Sequence, residues 1–99
     1  MTDNTEVAWA AGFFDGEGST VATAKTGTLQ LTVTQVARIN LFRFQRAMGG
    51  IGSVQAPRFI LGRKPVSRFA AYNDRALACL KVLWPFLGED KRDQALRAL

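Results

Sequence analysis

Apolar and polar positions along the chain recur with two periods, and small residues mark where the first period begins. Residues Glu6–Gly16 read as a helix: Asp3 followed three residues later by Glu6 has the form of a capping box, and no proline interrupts the stretch. Ala8, Gly12 and Gly16 fall at i, i+4 and i+8 with Ala11 beside them. One stripe of the helix therefore carries almost no side chain and lets another backbone come close. Each helical glycine costs about 1 kcal/mol relative to alanine, so the stripe implies a packing purpose.

The period then changes to two. The segment "STVATAKTGTLQLTVTQ" is rich in β-branched residues and is broken by Thr26-Gly27, which predicts a hairpin of Ser19–Lys25 and Thr28–Gln35. In its second strand Leu29, Leu31 and Val33 share one face, and Thr28, Gln30, Thr32 and Thr34 share the other. The first face is core and the second is wet. An uncharged Thr/Gln face is commonly just solvated; with Lys25 at the hairpin tip, the same residue types also suit hydrogen bonding to base edges in a major groove.

Helical spacing returns over Arg38–Met48, where Ile39, Leu41, Phe42 and Met48 form the apolar set and Gly49-Gly50 the C-cap. A second pair of strands is expected over Gly52–Arg58 and Val66–Tyr72, joined by the basic loop "LGRKP". Asn73 or Asp74 caps a helix over Arg75–Trp84 whose buried stripe is Ala76, Leu77, Leu80, Leu83 and Trp84, and Pro85 stops it. A last helix over Asp90–Leu99 presents Ala95, Leu96 and Leu99. The order is α-ββ-α-ββ-α-α, an α+β chain whose halves share a coarse αββ rhythm without a residue-level repeat.

Length and composition narrow what such a chain does. Ninety-nine residues, 47% of them hydrophobic, fit one domain over 1–99, and a core this small is a natural candidate for further stabilisation by dimerisation. No apolar run approaches a membrane span and the N-terminus has no signal-like pattern, so the expected location is cytoplasmic, with no membrane partner. The one cysteine, Cys79, lies in an apolar helical pattern and reads as a buried thiol. Thirteen Lys and Arg against eight Asp and Glu give a net charge of +5 and a pI of about 10.2, which favours a polyanionic partner, most often nucleic acid. The absence of histidine excludes serine triads, His-ligated zinc hydrolases and histidine-dependent nucleases. Carboxylate and lysine chemistry remains, with or without a hard metal ion.

The segment "WAAGFFDGEGS" at Trp9–Ser19 resembles the LAGLIDADG motif of homing endonucleases, with Ala10, Ala11, Gly12, Phe13, Phe14, Asp15, Gly16, Glu17 and Gly18 in its nine positions. "VTQVAR" at Val33–Arg38, "GGIGSV" at Gly49–Val54 and "PFLGEDKRDQA" at Pro85–Ala95 agree with later family segments in order and spacing, so the resemblance spans most of the chain. Two features depart from the common pattern: Glu17 stands where many relatives have Asp, and most relatives continue beyond the position of Leu99. The resemblance implies an αββαββα fold whose four-stranded antiparallel sheet binds DNA and carries its helices on the other face. It also implies a single-motif, homodimeric enzyme of mobile-element origin, from an intron, an intein or a free-standing gene, with no organic cofactor.

The small stripe gives this a physical form. If Ala8, Ala11, Gly12, Asp15 and Gly16 meet their copies about a two-fold axis, the C-terminal ends of two helices point the same way and the two Glu17 carboxylates approach each other. Carboxylates so placed repel unless divalent cations lie between them, so Mg²⁺ is the expected cofactor, with Mn²⁺ as an alternative and Ca²⁺ as a non-cleaving substitute. Asp15 also suits local capping near the helix end.

By the same resemblance, Gln35, Arg38 and Lys91 join Glu17 as catalytic groups, forming a solvent network that positions water and offsets phosphate charge. An eight-residue strand runs about 26 Å, about 8 base pairs of duplex, so each subunit would read one half of a near-palindromic site. Candidate DNA contacts are Thr23, Lys25, Thr28, Gln30, Thr32 and Thr34 on the first hairpin and Gln55, Arg58, Arg63, Lys64 and Arg68 on the second, Arg63 and Lys64 suiting phosphate as well as bases. Arg43, Arg46, Arg75 and Arg97 read as solvated helix charges. The leading expectation is a metal-dependent site-specific DNA endonuclease; the alternative is a nucleic-acid-binding relative of the maturase or regulator type without catalysis.

Overall fold

Asp3 accepts a hydrogen bond from the Thr5 amide at 2.8 Å and starts helix α1, Asn4–Glu17, in a computed structural model that describes residues 3–59 and 61–99. Glu6 does not close the expected capping box: its carboxylate instead takes both Nε and Nη2 of Arg43, each at 2.9 Å. Strands β1 (Gly18–Ala22) and β2 (Leu29–Gln35) follow, then helix α2 (Arg38–Ala47), strands β3 (Ser53–Arg58) and β4 (Val66–Tyr72), helix α3 (Asp74–Leu83), a 3-10 turn at Trp84–Phe86 and helix α4 (Glu89–Ala98). The predicted order holds throughout. The hairpin strands are shorter than expected at the turn because Thr23, Thr26, Gly27 and Thr28 build it: Gly27 takes a φ of +67° and its amide donates to the Thr23 oxygen at 2.8 Å.

The four strands form one antiparallel sheet in the order β1-β2-β4-β3. Leu31 faces Thr20 on one side and Ala71 on the other, and Val33 lies between Gly18 and Phe69. These residues point toward the helices. β3 is an edge strand with an irregularity between Gln55 and Arg58, where Pro57 withholds a backbone donor.

The core lies between that face and the helices. Val7, Ala10, Ala11 and Phe14 are the buried side of α1, at the i, i+3, i+4, i+7 spacing of an amphipathic helix. Phe44 sits at the centre, 4.9 Å from the ring of Phe69 edge-on and 6.1 Å from Phe13 and Phe14. Gly52 lets Phe69 in: its φ is +85°, and a Cβ there would lie 2.5 Å from Cζ of Phe69 and 3.0 Å from the Ala70 oxygen.

Several expected core positions differ. In α2 the buried set is Leu41, Phe44 and Ala47, whereas Ile39 is 73% exposed and Phe42 is on the surface, because the aromatic contacts of Phe44 rotate the helix to that phase. In α4 only Ala95 is buried, and Leu96 and Leu99 face outward. Arg43, expected as a solvated charge, lies 3.9 Å over the Trp9 ring as well as pairing with Glu6. Cys79 is buried as expected, and burial pushes its thiol up to about 12, which leaves it unreactive.

Candidate nucleic-acid interface and active site

The strand register sorts the expected DNA contacts by face. With Leu29, Leu31 and Val33 turned inward, Gln30, Thr32 and Thr34 turn outward, and their cross-strand partners follow. Thr34, Arg68 and Gln55 form one row across β2, β4 and β3; Ser19, Thr32, Ala70 and Ser53 form the next; Val21, Gln30 and Tyr72 form a third. Thr32, Thr34, Gln55, Arg58 and Arg68 line a shallow hollow on this face. Sequence reading missed Ser19, Ser53 and Tyr72 because their place on the face depends on strand pairing, which is long-range.

The remaining contacts belong to loops. Thr23 and Thr28 have their hydroxyls tied to Thr26, at 2.7 Å in each case, so they shape the turn that holds Lys25 out in solvent. Arg63 and Lys64 are exposed in the β3–β4 loop. Between Glu17 and Asp74 the chain carries no acidic residue and eight of its thirteen basic ones. That stretch is the entire sheet with its connections, so it presents positive potential and contains no carboxylate of its own. One of the eight, Arg43, is neutralised by Glu6 from outside the stretch.

Three of the four expected catalytic residues gather at one end of this sheet. Glu17 is the exposed last residue of α1, and the next residue, Gly18, pairs with Val33, two positions before Gln35. A helix C-terminus disfavours a carboxylate, so a counter-charge is wanted there. The ammonium of Lys91 in α4 donates to the Gly18 oxygen at 2.6 Å. The side-chain oxygen of Gln35 accepts from the amides of Val36 and Ala37 at 2.9 and 3.4 Å. Arg38 opens α2 just beyond, exposed, with its guanidinium 5.2 Å from the Phe42 ring centre.

Two further side-chain contacts escape sequence reading. Asp15 accepts from the Gly88 amide through both oxygens, at 3.0 and 3.1 Å, and Gln94 accepts from the Thr20 amide at 3.1 Å. With Lys91, they fasten α4 to the chain on both sides of Glu17. Lys91 and Gln94, one turn apart on α4, take the outward-facing backbone groups of β1, which would otherwise be an open sheet edge.

The small stripe of α1 is open. Ala8, Gly12 and Gly16 are exposed, and a Cβ at Gly12 or Gly16 would meet nothing within 4 Å. Ala11 corrects the expectation: at 0% exposure it belongs to the core of this chain, since one residue before Gly12 turns it about 100° away from the open stripe. Asp15 likewise spends its carboxylate on Gly88 and serves the local fold.

The donor chemistry fits a hard cation. Exposed oxygen donors are offered, histidine is absent from the sequence and the sole thiol is buried. Among the described residues no group of three or more His, Cys, Asp or Glu side chains is gathered to hold a metal ion. A site with a single carboxylate differs from an all-protein cage; an ion of the Mg²⁺ type, where one binds, keeps waters and takes phosphate oxygens.

No protein-family model matches this chain, and no curated protein matches it in sequence. Among solved structures it is similar to I-CeuI, a group I intron-encoded homing endonuclease complexed with DNA, with a TM-score of 0.57 at 15% sequence identity. The likeness covers 99% of this chain and 54% of the other, so the chain spans about half the length of its neighbour. What the likeness establishes is the architecture: an α+β chain of four helices on a four-stranded antiparallel sheet, the LAGLIDADG homing endonuclease-like fold.

Proposed function

We propose that the chain is a metal-dependent, site-specific double-strand DNA endonuclease that works as a homodimer on a near-palindromic target. The observation that carries the reading is the position of Glu17: an exposed carboxylate at the foot of a bare helix stripe, on the border of a sheet that is otherwise free of acidic residues. A carboxylate bordering a polyanion-binding face is repelled by the ligand that the face attracts, unless a cation joins them. That the solved neighbour is a DNA-bound homing endonuclease supports the same reading.

In this mechanism the polar rows of the sheet follow the groove, Arg58, Arg63 and Lys64 hold phosphates, and Glu17 of each subunit would hold a divalent ion. Bound there, such an ion would supply Lewis-acid stabilisation of phosphate charge. Lys91 fixes the backbone next to Glu17 and adds positive potential at the scissile phosphate, Gln35 and Arg38 orient water, and two such sites cut one strand each. Incubation with Mg²⁺ and a plasmid library bearing candidate sites tests the proposal: linear product that disappears with a chelator is expected, and binding without any cut under Mg²⁺ or Mn²⁺ overturns it.

A second reading, DNA binding without cleavage, draws on a specific observation. The Lys91 ammonium and the Gln35 side-chain oxygen both bond to backbone partners, which suits a structural use of these residues expected to be catalytic.

A further inference from the structure

Phe59 is 78% exposed and Leu61 fully exposed, although both lie in a loop of a chain with a well-packed core. Cations flank the segment: Arg58 precedes Phe59, and Arg63 and Lys64 follow Gly62. Arg58 pairs with Val66, and both line the hollow of the polar sheet face, so the loop springs from the border of that face. Gln35 pairs with Ser67, next to Val66, which places the loop at the Glu17 end of the sheet. Large apolar groups held in water are costly to leave unburied, and a loop that carries cations and no acidic residue of its own selects against most protein partners other than acidic ones. Duplex DNA satisfies both demands, because a phosphate backbone matches the cations and a partly unstacked base step accepts an apolar wedge.

We propose that Phe59 and Leu61 form a wedge that enters duplex DNA between base steps at the Glu17 end of the sheet, while Arg58, Arg63 and Lys64 hold the flanking phosphates. The proposal rests on the DNA-binding reading above and adds a way of deforming the target: unstacking next to the cut region draws the backbone toward the carboxylates and makes the flexibility of that step part of site selection.

The test uses the full chain, its Phe59→Ser/Leu61→Ser double variant and its Arg63→Ala/Lys64→Ala double variant, with a short mixed-sequence duplex carrying 2-aminopurine at alternate positions. All four positions are exposed, so both variants should fold like the wild type, which their far-UV circular dichroism and melting temperatures check. Wild-type binding should raise 2-aminopurine fluorescence. The Ser variant should bind about tenfold more weakly with an unchanged salt slope and lose the fluorescence rise. The Ala variant should lower the salt slope by about 2 and keep the rise. Equal binding and equal fluorescence in the Ser variant overturn the wedge and leave sheet-mediated DNA binding standing. A wild-type chain that ignores duplex at low salt overturns both. Loss of self-association by the Ser variant without DNA, or tighter wild-type binding to phosphatidylserine vesicles than to duplex, assigns the two side chains elsewhere and also overturns the wedge.

Discussion

Lys91 reaches across from α4 to the carbonyl of Gly18 at 2.6 Å, one residue beyond Glu17. A charged donor on a backbone oxygen is among the stronger hydrogen bonds, and this one joins the end of the chain to the junction between its first helix and first strand. Replacing Lys91 with Met keeps the stem and removes the donor. The expected cost is about 2 kcal/mol, seen as a fall of about 10 °C in melting temperature. Under the endonuclease reading, the folded variant also cuts about 10²-fold more slowly; unchanged stability would separate Lys91 from the junction.

Glu17→Gln separates binding from cutting. The substitution removes a charge that repels phosphate, so duplex affinity in a chelator should hold or rise, while under the endonuclease proposal Mg²⁺-dependent cleavage should fall by about 10³-fold. Gel retardation and plasmid linearisation read the two effects, and undiminished cutting takes Glu17 out of the site.

Gly12→Leu tests the bare stripe. A Cβ at Gly12 meets nothing in its own subunit, so a monomer should accept the side chain and gain up to about 1 kcal/mol from improved helix propensity. A helix packed against its copy should not. Under the homodimer proposal, sedimentation is expected to show a dimer for the wild type and a folded monomer for the variant; a variant that dimerises as the parent does removes this stripe from the interface.

Gly52→Ala is expected to be poorly tolerated, because the left-handed φ of +85° and the close approach of Phe69 and Ala70 act together. Destabilisation of about 2 kcal/mol or more should appear in urea unfolding with little change in slope.

Acid titration probes the Glu6–Arg43 pair. The hydrogen bond from Arg43 holds the Glu6 carboxyl below its ordinary 4.5. A carboxyl lowered in the folded state adds stability above its unfolded value and loses it as pH falls through the folded one. The difference in melting temperature between wild type and Glu6→Gln should therefore be present near neutrality and vanish on acidification well below pH 4.5. A difference that persists in strong acid would show that the pair is not its source.

The alternation of Leu29, Leu31 and Val33 was enough to fix which side of β2 is wet, and the turn chemistry at Thr26-Gly27 and the boundaries Val66 and Tyr72 were equally local. Phe44 was not visible in this way. Ile39, Leu41, Phe42, Phe44, Ala47 and Met48 offer α2 two overlapping stripes, and the choice between them is made by Phe69 and Phe14, distant in sequence. The site divides along the same line. Glu17 and the outward Thr/Gln positions follow from local pattern, whereas the ties of Asp15 to Gly88 and Gln94 to Thr20 join residues more than seventy positions apart and exist only after α4 has docked. Ala11 shows the limit of stripe counting, since one residue of rotation separates an interface from a core.

The two outer strands of the sheet have a joint consequence. On one flank α4 takes the spare backbone groups of β1, and on the other Pro57 and the local irregularity interrupt β3. Neither flank offers a regular ladder to a stranger's strand. Copies that crowd together during synthesis are thereby steered away from runaway cross-molecule ribbons, and any lasting pairing between them must be made by side chains and helices.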